Sequence, residues 1–172
     1  SADLIAVSPG VPLTIPAIAE ARRKGVGIVG EIELASWFLQ GILIGITGTN
    51  GKSTTTALTA HLLAQAGLRA TACGNIGLPL TDLIPKDAPD HYYVVELSSF
   101  QLEGIDSFRP WIAALLNLAP DHQDRYPDPA PYYQAKARIF KNQGRADHAI
   151  LNRDDPEVWA LAKGLKAHVH PF

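Results

Sequence analysis

Sulfur-containing residues are almost missing from this chain of 172 residues, which has one cysteine and no methionine. A single cysteine excludes an intramolecular disulfide framework and favours a reducing compartment, so we expect a cytoplasmic protein. An excess of charge of one sign is also lacking, because 15 basic residues stand against 17 acidic ones and the net charge is -2. That balance gives no electrostatic reason to expect nucleic acid as the main partner.

Long hydrophobic runs are absent as well. The longest, such as 111–116, are far too short to cross a bilayer, so we expect no membrane insertion. Hydrophobic residues nevertheless make up 47% of the chain and charged residues 19%. This composition is typical of a folded protein with a sizeable core and not of a disordered chain.

Short apolar runs alternate with helical patterns along the whole chain. Strands are predicted at 4–7, 26–29, 42–47, 70–73, 92–97, 111–116, 149–152 and 167–170. Helices are predicted at 15–24, 31–39, 52–66, 132–141 and 156–163. Alternation with strands that are apolar on both faces predicts an α/β fold, a mostly parallel sheet with helices on both faces. Ligands of such sheets bind at the carboxyl ends of the strands.

The segment 25–30 (GVGIVG) matches a dinucleotide-binding pattern. That pattern requires a strand before the glycines and a helix after them. Here a predicted helix precedes the glycines and a strand runs through them. We therefore interpret Gly25 as the end of a helix and do not predict dinucleotide binding.

The segment 42–54 (ILIGITGTNGKST) predicts a phosphate-binding loop between a strand and a helix. Successive main-chain N–H groups and the helix N-terminus can surround one phosphate group. Lys52 can reach the β- and γ-phosphates, and the Ser53 hydroxyl can bind magnesium. The alternative is an ordinary helix start with Thr49 or Asn50 as the N-cap.

The motifs of a GTPase, Asp-x-x-Gly and Asn-Lys-x-Asp, do not occur after this loop. Glu96, at the end of the strand predicted at 92–97, is placed to bind magnesium directly or through water. The alternative is an exposed loop carboxylate with no such role.

Lys136 lies in the middle of the apolar arc of the helix predicted at 132–141. Burial there would favour the neutral amine, which could act as a base, form a Schiff base or take up carbon dioxide as a carbamate. The alternative is a lysine whose stem packs while its head group reaches water.

Two other polar residues follow predicted strands. His122 can bind a metal or meet a substrate, although a histidine in a polar turn is usually solvated. Asn75 is either a ligand-binding residue or a turn residue. Cys73 is interpreted as a small buried hydrophobic residue.

Together these segments resemble the Mur ligases, the ATP-dependent amino-acid ligases of peptidoglycan synthesis. The resemblance rests on 7–12 (VSPGVP), 30–34 (GEIEL), 48–54 (GTNGKST), 74–77 (GNIG), 96–103 (ELSSFQLE), 121–126 (DHQDRY) and 135–139 (AKARI). The GTNGK loop is shared with folylpolyglutamate synthases, whereas the 96–103 and 8–10 segments are similar to the branch that adds D-glutamate. The resemblance therefore implies a P-loop-type central domain preceded by the end of a Rossmann-like one.

The resemblance also implies a role for each candidate residue. The ATP phosphates are bound by Gly48, Thr49, Asn50, Gly51, Lys52, Ser53 and Thr54. The catalytic residues are Lys52, Glu96, His122 and Lys136. Of two Mg²⁺ ions, one is held by Ser53 and Glu96, and the other by His122 and by Lys136 carrying carbon dioxide as a carbamate. The UDP-linked substrate is met by Asn75, His122, Ser98, Gln101 and Gly10.

The reaction implied is the addition of D-glutamate to UDP-N-acetylmuramoyl-L-alanine through an acyl phosphate, by a monomer. Residues 1–30 resemble the trailing part of an N-terminal substrate domain, and 31–172 the first part of the central ATP-binding domain. The rest of that domain and a C-terminal domain would then be absent, so we expect the isolated chain to bind nucleotide weakly and to ligate nothing. The alternatives are a sister ligase for another amino acid and a non-catalytic nucleotide-binding module.

Overall fold

A computed structural model describes residues 2–12 and 14–172 of the chain. These residues form two separate parallel sheets. The small sheet pairs β1 (Leu4–Val7) with β2 (Gly27–Gly30), and helix α1 (Pro16–Arg23) connects them. Gly25 follows the end of α1, and its N–H donates to the Arg22 carbonyl at 2.9 Å. The interpretation of Gly25 as a helix end is therefore confirmed.

The large sheet has six strands, all parallel, in the order β4-β5-β3-β6-β7-β8. They are β3 (Ile42–Thr47), β4 (Ala70–Gly74), β5 (Tyr92–Glu96), β6 (Ile112–Leu115), β7 (His148–Leu151) and β8 (His168–Pro171). The α/β prediction is confirmed. Strands that follow β3 in the chain lie first on one side of it and then on the other. The carboxyl end of β3 is thus the switch point at which parallel sheets bind ligands.

The helices agree with the sequence in the first half of the chain and differ in the second. They are α2 (Glu31–Ser36), α3 (Lys52–Gln65), α4 (Ser99–Glu103), α5 (Pro129–Ala137) and α6 (Pro156–Ala160). Helix α5 begins three residues before the predicted start, because the Asp128 side chain caps it by accepting from the Ala130 N–H. Both α5 and α6 then tighten into 3₁₀ turns, at Arg138–Phe140 and Leu161–Gly164.

Two short elements were missed in the sequence. A 3₁₀ helix spans Leu80–Lys86, and α4 follows β5. Five residues are too few to show a helical period, and α4 is fixed instead by hydrogen bonds at its start. In the described residues, no helix has both the length and the apolar character needed to cross a membrane.

The two faces of the large sheet are covered unequally. One face carries the main core, to which α2, α4, α6 and the 3₁₀ turns contribute. On the other face, Ala60 and Leu63 of α3 pack against Ile44, Ile46 and Val94. Helices therefore lie on both faces as predicted, with most of the helical packing on the first.

A buried carboxylate holds α2 against the turn that leads into β6. Glu33 is 1% exposed and accepts hydrogen bonds from the main-chain N–H groups of Asp106, Ser107 and Phe108 at 2.8, 2.8 and 2.9 Å. It also accepts from Trp37 Nε1 at 2.8 Å and from the Ser107 hydroxyl. Burial raises the pKa of this carboxyl, but the hydrogen bonds outweigh burial and lower it to about 2.

Candidate active site

The phosphate loop lies where β3 meets α3, at the switch point of the large sheet. Gly51 immediately precedes α3 with φ 81°, a left-handed backbone that a residue with a side chain adopts only under strain. No side chain of the described residues caps α3, so the interpretation of Thr49 or Asn50 as a side-chain cap is wrong. The free N–H groups at the start of α3 suit an anion. Lys52 Nζ lies over the same loop and donates to the Thr49 carbonyl at 2.8 Å.

The loop is held by the segment that follows β6. The Thr49 N–H donates to the Asn117 carbonyl at 3.0 Å, and the Asn50 N–H donates to Asn117 Oδ1 at 2.8 Å. Asn117 Nδ2 donates in return to the Asn50 carbonyl at 3.0 Å. The Thr49 hydroxyl accepts a hydrogen bond from the Ala119 N–H at 3.0 Å and donates one to the Ala119 carbonyl at 3.1 Å. These hydrogen bonds fix the loop to the segment that follows β6.

Glu96 ends β5, next to β3, and is 1% exposed. Its Oε1 accepts from Asn75 Nδ2 at 2.8 Å, while Oε2 is buried with no hydrogen-bond partner in the described chain. Asn75 reaches it because Gly74 (φ 96°) brings the two strand ends together. A Cβ on Gly74 would lie 2.5 Å from the Glu96 carbonyl oxygen. The interpretation of Glu96 as an exposed carboxylate is therefore wrong.

Lys136 is 1% exposed and lies in the last turn of α5. Its Nζ donates to the Gly48 carbonyl at 2.9 Å and lies 4.6 Å from the centroid of the Tyr132 ring. Burial and the nearby Lys52 charge lower the pKa of Lys136 to about 7, against weaker opposite effects of Asp121 and Glu96. The burial predicted from the helical period is confirmed, and the solvent-reaching alternative is wrong. Near neutral pH a large share of this amine is uncharged.

His122 lies on an exposed loop beside the same tyrosine. Its backbone has φ 51°, and its ring centroid is 5.9 Å from that of Tyr132 and 5.0 Å from that of Phe100. The Tyr132 hydroxyl lies 3.4 Å from the Thr49 hydroxyl. Tyr132 thus contacts the phosphate loop, Lys136 and the His122 loop together. The sequence pattern does not point to this role of Tyr132, because a tyrosine fits the apolar arc of α5 equally well.

Ser98 and Gln101, two of the residues predicted to bind the substrate, are hydrogen-bonded to each other. The Ser98 N–H and hydroxyl donate to Gln101 Oε1 at 2.9 and 3.0 Å, and the Gln101 N–H donates to Ser98 Oγ at 3.2 Å. This capping box starts α4. Gln101 also lines a narrow crevice between α4 and the 7–11 turn. Gly10 belongs to that turn and is exposed. Their role in substrate binding stays a prediction.

A sequence profile described as the Mur ligase middle domain matches residues 46–172 of the chain. The chain belongs to the Mur ligase family. The family match covers the phosphate loop, the end of β3 and the other five strands of the large sheet, and it leaves out the small sheet.

Two curated relatives of this Mur ligase chain are named UDP-N-acetylmuramoylalanine–D-glutamate ligase. The Myxococcus xanthus relative is 53% identical over 100% of this chain, and the Anaeromyxobacter dehalogenans relative is 54% identical over 99%. The chain spans 38% and 37% of their lengths. A solved UDP-N-acetylmuramate:L-alanyl-gamma-D-glutamyl-meso-diaminopimelate ligase from Neisseria meningitides has the same fold, with a TM-score of 0.70 and 20% identity. It aligns over 99% of this chain and 58% of its own.

Mur ligases depend on ATP and Mg²⁺, and the residues of this Mur ligase chain fit a magnesium ion. Glu96 Oε2 is a buried carboxylate oxygen without a partner, which is the hard ligand that Mg²⁺ prefers. Across 2–12 and 14–172, no three His, Cys, Asp or Glu side chains group closely enough to hold a metal. That sparse donor set does not suit zinc, whereas Mg²⁺ keeps several waters and binds through one or two carboxylates.

Proposed function

We propose that this chain is the nucleotide-binding part of an ATP-dependent ligase that adds D-glutamate to UDP-N-acetylmuramoyl-L-alanine. One observation carries the proposal. The phosphate loop, the half-paired Glu96 and the buried Lys136 meet at the carboxyl end of β3. The names of the half-identical relatives support the choice of D-glutamate among the amino acids that Mur ligases add.

The triphosphate would bind at the start of α3, with Lys52 over its β- and γ-phosphates. Lys52 now donates to a main-chain carbonyl of its own loop. It can exchange that neutral acceptor for a phosphate oxygen, since hydrogen bonds to charged groups are stronger than those to neutral ones. Lys52 would thereby neutralise charge on the γ-phosphate as a carboxylate approaches it.

Two Mg²⁺ ions would be held by this chain, the first by Ser53 and Glu96 and the second by His122 and Lys136. When bound, such ions neutralise the phosphate charge that repels an attacking carboxylate. Lys136 can serve only after carbon dioxide has converted its neutral amine to a carbamate, with loss of one proton. The lowered pKa of Lys136 supports this step, because the uncharged amine is the nucleophile.

The reaction then proceeds in two steps. The alanine carboxylate of the UDP-linked substrate attacks the γ-phosphorus, which releases ADP and leaves an acyl phosphate. The amine of D-glutamate attacks the acyl carbon, and phosphate leaves from the tetrahedral intermediate. Asn75, His122, Ser98, Gln101 and Gly10 are proposed to meet the UDP-linked substrate. Closure of neighbouring domains would keep water from the acyl phosphate.

The domain assignment belongs to the same proposal. Residues 1–30, which contain the small sheet, would be the end of a substrate domain, and 31–172 the first part of the ATP-binding domain. The uridine and D-glutamate contacts would lie in parts of the longer relatives that this chain does not match.

A chimaera tests the function. This chain replaces the matching segment of the Myxococcus xanthus relative, and ADP release is measured with UDP-N-acetylmuramoyl-L-alanine and a panel of amino acids. We expect release that requires both the UDP-linked substrate and D-glutamate. The D-glutamate contacts of the chimaera come from the relative, so this release tests whether the phosphate- and metal-binding residues of this chain support D-glutamate ligation. A folded chimaera that binds ATP and releases no ADP would indicate a non-catalytic module.

A further inference from the structure

Asn117 is the second residue after β6, and its side chain makes two hydrogen bonds with the main chain of one residue of the phosphate loop, Asn50. Oδ1 accepts from the Asn50 N–H at 2.8 Å, and Nδ2 donates to the Asn50 carbonyl at 3.0 Å. The Asn117 carbonyl also accepts from the Thr49 N–H at 3.0 Å. Asn117 thus accepts hydrogen bonds from the two main-chain N–H groups directly before Gly51, those of Thr49 and Asn50.

This pairing divides the predicted phosphate-binding segment 48–54 in two. The N–H groups of Thr49 and Asn50 are bonded to Asn117, so they cannot donate to a phosphate without breaking those bonds. The N–H groups that follow Gly51 belong to the first turn of α3, where no intrahelical acceptor exists for them. The anion cradle therefore begins at Gly51.

We propose that Asn117 is a positioning residue, which holds the Asn50 peptide so that the N–H groups after Gly51 face the nucleotide phosphates. The inference rests on the proposed nucleotide-binding function. Only an amide side chain carries a donor and an acceptor on two neighbouring atoms, so that it can bond to both the N–H and the carbonyl of one residue. Aspartate at 117 would keep the acceptor, lose the donor and add a negative charge near the triphosphate.

Neighbouring contacts hold Asn117 itself in place. The Leu118 N–H donates to Asp155 Oδ2 at 2.7 Å, and the other oxygen of Asp155 caps α6. The Thr49 hydroxyl pairs with both main-chain groups of Ala119. Through residues 117–119, hydrogen bonds therefore connect the loop to the start of α6. Nucleotide binding does not require α6 to move.

The chain also offers a matched control. Asn152 is the first residue after β7 and Asn117 the second after β6, and the Asn152 Nδ2 donates to the Leu116 carbonyl at 2.9 Å. Both asparagines lie at a carboxyl strand end and bond to a main-chain carbonyl. Only Asn117 contacts the phosphate loop.

The test uses the 172-residue chain with ¹⁵N-labelled backbone, titrated with ATP and Mg²⁺ to millimolar concentration. We expect the Asn50 amide to exchange slowly with solvent before nucleotide is added, and the amide signals of 51–54 to move on addition. Asn117→Ala should remove the protection of Asn50 and weaken ATP binding about tenfold, which corresponds to the loss of one or two net hydrogen bonds. Asn152→Ala should change neither.

A second readout covers variants that fold poorly. In the chimaera, Asn117→Asp should raise the KM for ATP at least as much as Asn117→Ala and leave the KM for D-glutamate unchanged. Unchanged ATP affinity in folded Asn117→Ala, or fast exchange of Asn50 in the parent chain, overturns the inference while nucleotide binding stands. No movement of 51–54 in the parent chain and no ATP-dependent activity of the chimaera overturn the proposed function itself.

Discussion

Glu33 and Glu96 are both 1% exposed, yet their surroundings differ. The Glu33 carboxylate accepts five hydrogen bonds, from three main-chain N–H groups, a tryptophan and a serine hydroxyl. Glu96 accepts one, from Asn75, and its second oxygen has no partner in the described residues. A buried carboxylate that is fully bonded joins parts of the fold. One that is half bonded has an oxygen available to a ligand.

This comparison makes burial alone a poor guide to a site. The three main-chain N–H groups that donate to Glu33 lie 73–75 positions away from it in the chain, and these bonds fasten α2 to the turn before β6. Glu96 lies at a strand end beside the phosphate loop, where parallel sheets bind ligands. The number of unused acceptor positions separates the two roles, and substitutions at each position should separate activity from stability.

The largest effect is expected at Lys136, on the active-site side of the comparison. Lys136→Arg in the chimaera should abolish D-glutamate-dependent ADP release, by about a thousandfold or more, since guanidinium cannot form a carbamate. The parent chimaera and Lys141→Arg, an exposed lysine of the following turn, serve as controls. Retained activity in folded Lys136→Arg would exclude the carbamate.

Glu96→Gln is expected to come second. The amide keeps a bond with Asn75 but loses the anionic oxygen, so activity should fall about a hundredfold or more while the melting temperature stays within a few degrees. Mg²⁺ titration of the steady-state rate checks the cause, because the variant should need more Mg²⁺. A variant with unchanged rate and Mg²⁺ dependence would remove Glu96 from the metal site.

Glu33→Gln should show the opposite pattern. The amide nitrogen would face N–H donors of the 106–108 turn, so we expect a loss of about 3 kcal/mol in the free energy of unfolding. Urea denaturation of the 172-residue chain measures it. At a temperature where the chimaera is folded, its KM for ATP should not change. A shift in that KM without destabilisation would contradict the structural role of Glu33.

The smallest effect is a pH dependence from the same residue. The pKa of Glu33 is lowered from 4.5 to about 2 in the folded chain. Its contribution is therefore present above pH 4.5 and is lost as the pH falls towards 2, on the order of 2 kcal/mol. Urea denaturation at several pH values should show this slope in the parent chain and a smaller one in Glu33→Gln. Equal slopes would mean that other carboxylates cause the acid sensitivity.

The sequence was sufficient where the determinants are local. Short apolar runs, most of them continuous, predicted every strand of the large sheet, and the helical period predicted the burial of Lys136. Contacts between residues that are distant in the chain could not be predicted from the sequence. The bonds of Asn117 with Asn50 span 67 positions, and nothing in the local pattern of either residue points to the other. The same holds for Glu33, which reads as one more acidic residue at the start of a helix.

The hydrogen bonds between Asn117 and the loop at 48–51 also bear on how the protein is made. The ribosome synthesises the loop and α3 long before it reaches residue 117. At about 5–20 residues per second, the delay is several seconds. Strand β3 lacks both of its partners in the sheet until β5 has been synthesised, and it lacks β6 until shortly before residue 117. The hydrogen bonds that hold the phosphate-binding loop can therefore form only after β6 and the segment that follows it have been synthesised.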